Sequence, residues 1–133
     1  MTDCIFCRIA AGEIPAEVVA DDEHFIAFHD LHPLAPVHVL VIPREHVASM
    51  AELERLPGET VAGLLPFAAR VARESGVENS GYRLVANTGA DAGQEVSHLH
   101  WHVIGGRPLG GMVWWHVKPA PSKRVSRATP SWR

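Results

Sequence analysis

Six consecutive residues alternate without a break: His98-Leu99-His100-Trp101-His102-Val103. On an extended backbone, side chains two apart share a face. Residues 98–104 therefore read as a strand that sets three imidazoles along one side, spaced roughly 7 Å apart. Leu99, Trp101 and Val103 point the other way, into a core. Imidazole titrates near ~6.5, so at neutral pH one ring is neutral while a neighbour is protonated. A neutral ring is a nucleophile toward phosphorus, and a protonated one gives a proton to a leaving group. The competing use is metal binding, because three histidines make a catalytic zinc site in some hydrolases. Three same-face residues on one straight strand spread too far to meet a single ion at bond lengths of about 2.0–2.1 Å. At most two could share one, so covalent catalysis is the stronger reading and an unrelated zinc hydrolase the weaker.

A second group of ligands stands at the other end of the chain. Cys4 and Cys7 form a Cys-x-x-Cys pair, half of a tetrahedral zinc site. In a reducing compartment that spacing favours metal or redox work over a structural disulfide.

The elements that must carry these residues follow from pattern. Residues 4–11 read as a short helix or turn ahead of Gly12. Strands are expected over 17–20, 24–29 and 37–42, the last a β-branched run ended by Pro43. His32-Pro33-Leu34-Ala35-Pro36 is a loop stiffened by two prolines. Ser49-Met50-Ala51-Glu52 fits a capping box that opens a short helix. The main helix spans 59–75, with Val61, Leu64, Leu65, Ala68, Ala69 and Ala72 as its apolar stripe. Pro66 inside it predicts a kink or two pieces, and Gly76 a stop. A strand over 82–87 and a glycine-containing loop over 88–93 precede the histidine row, and Gly105-Gly106 ends it. Strands joined by short turns around one helix predict an α+β fold with a mainly antiparallel five-stranded sheet.

The 133 residues suit one domain, and 47% hydrophobic content is enough for a packed core. A domain over 1–117 and a loose tail over 118–133 are expected. The net charge of −3 argues against a nucleic-acid partner held by bulk basic charge. No apolar run approaches the roughly 20 residues that span a bilayer. No basic-then-apolar leader opens the chain, so no membrane association and a cytoplasmic address are expected.

The segment 98–104 resembles the His-φ-His-φ-His-φ-φ motif of the histidine triad family, φ being apolar. The likeness extends, in family order, to Phe28-His29-Asp30, to Ala35-Pro36-Val37-His38-Val39-Leu40-Val41-Ile42-Pro43 and to Gly81-Tyr82-Arg83-Leu84-Val85-Ala86-Asn87. Gly93-Gln94-Glu95-Val96 precedes the triad, and Gly105-Gly106-Arg107 after it resembles the phosphoramidase branch in particular. The resemblance covers about residues 4–112. It implies a compact α+β unit whose sheet continues into a twin across a homodimer axis. It also implies hydrolysis of a purine nucleoside 5′-phosphoramidate, or a related adenylated compound, through a covalent nucleotidyl-histidine.

By the same resemblance His100 is the nucleophile. His102 contacts the phosphate and assists the leaving group, and His98 and His38 complete a hydrogen-bonded cluster. Asn87 donates to the phosphate region, Asp30 holds the ribose hydroxyls, and Ile5, Phe6, Ile9, Phe28 and Leu31 form an apolar slot for the base. Gln94, Glu95 and Val96 flank the phosphate, and the turn before the triad offers backbone N–H groups to it. Glu95 departs from relatives that carry a serine there. Its charge would repel a phosphate, so its side chain is expected to point away. In some relatives the Cys-x-x-Cys pair is completed by two histidines, here His46 and His98, into a closed structural zinc site. No organic cofactor is implied. Met112-Val113-Trp114-Trp115-His116 is more aromatic than the family leads one to expect. Two alternatives on the same fold stay open: a dinucleoside polyphosphate hydrolase, which Gly105-Gly106-Arg107 disfavours, and a non-catalytic nucleotide-binding module.

Overall fold

A computed structural model describes residues 4–112. The segment from Val113 onward, with the expected domain boundary at 117 and the tail over 118–133, lies outside the described residues. A six-residue helix α1 (Ile5–Ala10) opens the chain. Strands β1 (Val18–Asp21), β2 (Phe25–His29) and β3 (Val37–Pro43) follow, then a short 3₁₀ segment over Met50–Arg55 and helix α2 (Gly58–Glu74). Strand β4 (Tyr82–Val85), a 3₁₀ turn over Ala90–Ala92 and strand β5 (Trp101–Gly105) complete the order. All pairings are antiparallel, in the spatial order β1-β2-β3-β5-β4.

β3 is buried over six of its seven positions because both faces of the sheet are covered. Val39 and Val41, with Val103 and Trp101 opposite them on β5, pack toward Leu64, Phe67 and Val71 of α2. Leu40 and Ile42 turn the other way and join Ile26, Phe28 and Phe6 in a second cluster roofed by α1. Strands clad on both faces read as continuous apolar runs, which is what the Val37–Pro43 sequence shows.

The histidine row departs from expectation. The strand read over 98–104 begins only at Trp101. Val41 pairs with Trp101, so the next facing pair on that register would be Pro43 with Leu99. A proline has no N–H to give a ladder. Instead the Leu99 N–H donates to the Val47 carbonyl at 2.8 Å, and residues 98–100 are held by the loop beyond β3. The expected outward-and-inward alternation survives in side-chain terms, since Leu99, Trp101 and Val103 all enter the α2-side core.

The main helix is one unbroken run through Pro66, not two pieces. Pro66 and Ala62, whose carbonyl loses its helical partner, both sit on the exposed side, where water can donate to that carbonyl. The buried stripe is Thr60, Leu64, Phe67, Ala68, Val71 and Ala72. Leu65 is 63% exposed. The stripe is rotated from the expected one because Phe67 stacks on Phe25 at 5.4 Å, and burying one aromatic ring outweighs burying Ala69. The capping box forms in altered shape: Ser49 Oγ accepts from Ala51 N, but Glu52 accepts from Ala48 N rather than from Ser49.

Candidate functional site

Register brings the first histidines together. His38 lies opposite Ile104, and Leu40 opposite His102, so His38 and His102 are diagonal neighbours on the α1-side face. Their rings meet at 2.9 Å between His38 Nε2 and His102 Nδ1. His100 stands beside His102 with ring centroids 5.1 Å apart. Phe6 of α1 closes the far side, its ring edge-on to His100 at 5.2 Å and to His98 at 5.9 Å.

Backbone groups decide which nitrogen of each ring carries the proton. The Leu34 N–H donates to His38 Nδ1 at 3.1 Å, so neutral His38 holds its proton on Nε2. That Nε2–H donates to His102 Nδ1, which leaves His102 protonated on Nε2. The His98 carbonyl accepts from His100 Nδ1 at 2.7 Å, so Nε2 of His100 carries a lone pair. One ring thus presents a nucleophilic nitrogen and its neighbour presents a donor. Burial, reinforced by His100 and His38, lowers His102 to about 4. Burial also lowers His38, against a smaller opposing pull from Asp30. Both rings are therefore held neutral at pH 7, so neither of them is the protonated partner that an unperturbed imidazole suggests.

His98 faces elsewhere. Its Nδ1 lies 3.2 Å from Cys4 Sγ, 3.5 Å from Cys7 Sγ and 3.1 Å from His46 Nδ1, and Cys7 Sγ lies 3.3 Å from His46 Nδ1. A tetrahedral zinc ion with ordinary bond lengths has ligand separations of roughly 3.4 Å between nitrogens and 3.6 Å between nitrogen and sulfur. The four donors come close to that figure. His98 Nε2–H donates to the Pro43 carbonyl at 2.9 Å, which is the second contact a metal-ligating histidine makes with its other nitrogen. A second trio, Asp30, His38 and His102, is also close enough to be considered as ligands. It fails that criterion, because His38 Nδ1 already receives the Leu34 N–H and cannot be the protonated nitrogen of a metal-bound ring.

The remaining expected residues divide. Phe6 and Phe28 are 6% and 4% exposed and meet edge-to-face at 5.6 Å, with Ile9 and Val96 packed against their cluster. They form a floor rather than an open stacking face. Ile5 is 45% exposed and Leu31 87%, so any contact from Leu31 needs a ligand to cover it. Asp30 Oδ1 accepts from the His32 N–H at 2.7 Å and so caps the proline turn, while Oδ2 lies 3.5 Å from His38 Nε2. Gln94 is committed to backbone groups of its own loop and of the segment after β3: Oε1 accepts from Gly89 N, and Nε2 donates to the carbonyls of Ala48 and Val96. The N–H groups of Gly89, Gly93 and Gln94 are likewise used inside the turn. The expectation that this turn offers its amides to a phosphate is thereby corrected for those three positions. Glu95 is exposed and Asn87 half-buried. The backbone groups of Leu34, Pro43 and His98 that set the tautomers left no trace in the sequence, since every residue type carries them.

Comparison with known proteins agrees with this architecture. Residues 11–109 match the HIT domain family model. A purine nucleoside phosphoramidase of Escherichia coli (strain K12) is 38% identical over 84% of this chain and 93% of its own length. The crystal structure of a HIT family hydrolase from Legionella pneumophila Philadelphia 1 superposes with a TM-score of 0.77 at 44% identity, covering 81% of this chain and 96% of that one. A zinc-bound histidine triad family protein from Mycobacterium smegmatis is 39% identical, with a TM-score of 0.67 over 79% of this chain and 76% of that one. The chain belongs to the HIT domain family. Within that family it is a hydrolase.

Proposed function

We propose that the protein hydrolyses a purine nucleoside 5′-phosphoramidate, or a related adenylated compound, through a nucleotide covalently held on His100. The observation that carries this reading is the 2.7 Å bond from His100 Nδ1 to the His98 carbonyl, which leaves Nε2 as the only free lone pair of the central ring. Nε2 attacks the α-phosphorus while the bond from phosphorus to the leaving nitrogen breaks. His102 offers its Nε2–H to the departing group, and a bound phosphate anion raises the affinity of that ring for a proton. Water then cleaves the phosphorus–Nε2 bond. Its hydroxyl goes to phosphorus and its hydrogen leaves, overall, with the amine.

In this reading Asp30 receives the ribose hydroxyls on the lone pairs not spent on the His32 turn, and Asn87 donates near the phosphate. The base lies over the Phe6–Phe28 floor, rimmed by Ile5, Ile9 and Leu31. Gln94 braces the loop that carries Glu95 and Val96. Purine preference is supported by the named activity of the E. coli relative.

Cys4, Cys7, His46 and His98 hold a structural zinc ion, which would draw both thiols to thiolates and tie α1 to the loop after β3. Without it, burial and the neighbouring Cys4 thiol push Cys7 up to about 11. His98 then serves catalysis through its carbonyl rather than through its ring. The expected homodimer would continue the sheet from one of its two edge strands, β1 or β4. A surface groove of about 610 Å³ runs beside β4 over residues 80–83 and 106–109, clear of the histidines.

Mass spectrometry after mixing with a slow adenylated substrate tests the reading. One nucleoside monophosphate mapped to His100 is expected, with His100→Ala binding nucleotide but failing to turn over. Turnover retained by His100→Ala would refute the nucleophile. Faster cleavage of a diadenosine polyphosphate than of adenosine phosphoramidate would move the substrate class to the neighbouring branch.

A further inference from the structure

We propose that Arg107 is a positioning residue for the histidine relay, acting through Leu34. Arg107 Nη2 donates to the Leu34 carbonyl at 2.9 Å. The N–H of that same residue donates to His38 Nδ1, and His38 Nε2 meets His102 Nδ1. Two contacts on Leu34, one to its carbonyl in the 34–35 peptide and one from its N–H in the 33–34 peptide, therefore link the guanidinium just after β5, through the Leu34 Cα, to the ring beside the nucleophile. Leu34 lies in the loop between Pro33 and Pro36, where no sheet ladder fixes its peptide planes. The donor on its carbonyl fixes the 34–35 peptide, and through the shared Cα it limits how far the N–H of the 33–34 peptide can turn. A second contact joins the same two segments: a Cβ at Gly106 would fall 2.9 Å from Pro36 Cβ, and the glycine holds φ +94°. The turn after β5 is thus fitted against the proline loop at both residues. Arg107 holds itself in place through a further bond from Nη1 to the Pro108 carbonyl at 2.8 Å.

The physical consequence concerns tautomers. If the Leu34 N–H swings away, only the longer Asp30 contact to Nε2 at 3.5 Å still favours Nδ1 as the acceptor, and a proton moving to Nδ1 takes the donor away from His102. His102 is then free to place its own proton on Nδ1, which removes the Nε2–H that faces the leaving group. The inference rests on the proposed role of His102, and it assigns Arg107 no contact with substrate.

The experiment compares the full chain with Arg107→Ala and Arg107→Lys. In Arg107→Ala the kcat on adenosine phosphoramidate is expected to fall about five- to tenfold, the range one such hydrogen bond controls, with KM within about twofold. Nitrogen-15 spectra of the ring should show His38 leaving the pure Nε2–H tautomer. Arg107→Lys, which keeps one cationic donor, should recover part of both. An unchanged kcat would overturn the proposal, as would a fall in kcat with the His38 spectrum unmoved, because that pattern marks a merely structural role. The ring spectra need no turnover. If wild type fails to cleave the phosphoramidate, the proposed function fails while the tautomer comparison still judges Arg107.

Discussion

Lowering the pH from about 7.5 to about 5 should destabilise the metal-free protein by roughly 3 kcal/mol, before any carboxylate is much protonated. The cause is two buried neutral imidazoles. Burial, with His46 and His100 adding to it, lowers His98 to about 4, and burial lowers His102 to about 4 as well. In the unfolded chain both return to the ordinary ~6.5. Between those values the unfolded state binds more protons than the folded one, so stability is full above about 6.5 and is lost as pH falls toward about 4. For one such group the loss at pH 5 is about 2 kcal/mol. His98 is fully buried and should show most of it. His102 is partly open to solvent and should show less, as screening requires. His38, lowered by burial against Asp30, acts in the same direction. Urea unfolding of chelator-treated protein, followed by circular dichroism, reads the effect. With a slope of about 1.5 kcal/mol/M, the midpoint should drop by roughly 2 M. His102→Gln should shrink that drop by about a third to a half, the share assigned to one partly exposed ring. Equal midpoints at the two pH values would refute the claim that these rings are held neutral by burial.

Other changes probe the scaffold. Phe6→Ala removes a ring that touches Phe28, His98 and His100, and should cost about 3–5 kcal/mol in urea unfolding; a loss under about 1 kcal/mol would mean α1 is not packed on the site. Gly106→Ala meets both a positive φ and Pro36 Cβ at 2.9 Å, whereas Gly12→Ala has a positive φ of 79° but open space. The first should therefore cost about 2 kcal/mol more than the second, and equal costs would show that the turn after β5 yields freely. Protein purified without chelator should carry one zinc per chain by elemental analysis, and Cys4→Ser should lower both zinc content and melting temperature. Zinc content unaffected by that change would place any bound zinc elsewhere.

Much of this molecule was legible before folding because it depends on local period and residue type. A β-branched run ended by Pro43, a helix ended by Gly76 and the alternation of Leu99, Trp101 and Val103 with histidines each state their own backbone geometry. They were enough to predict an antiparallel sheet with one main helix. The Cys-x-x-Cys pair was visible as half a site, and it took the family likeness to add His46 and His98. What pattern could not decide was where competing partners win. The histidine strand starts late because the residue it would face is a proline on another strand. The α2 stripe rotates because Phe25, more than thirty positions away, offers Phe67 a stacking face.

The chemistry divides along the same line. Residue types alone supplied the imidazoles, since only histidine combines a neutral nucleophile and a proton donor near neutral pH. Which nitrogen is free on each ring was settled by three backbone groups, the Leu34 N–H and the carbonyls of His98 and Pro43. Those groups are present in every peptide and acquire meaning only by position. The neutrality of His38 and His102 likewise follows from burial, a property of the packed molecule and not of the chain.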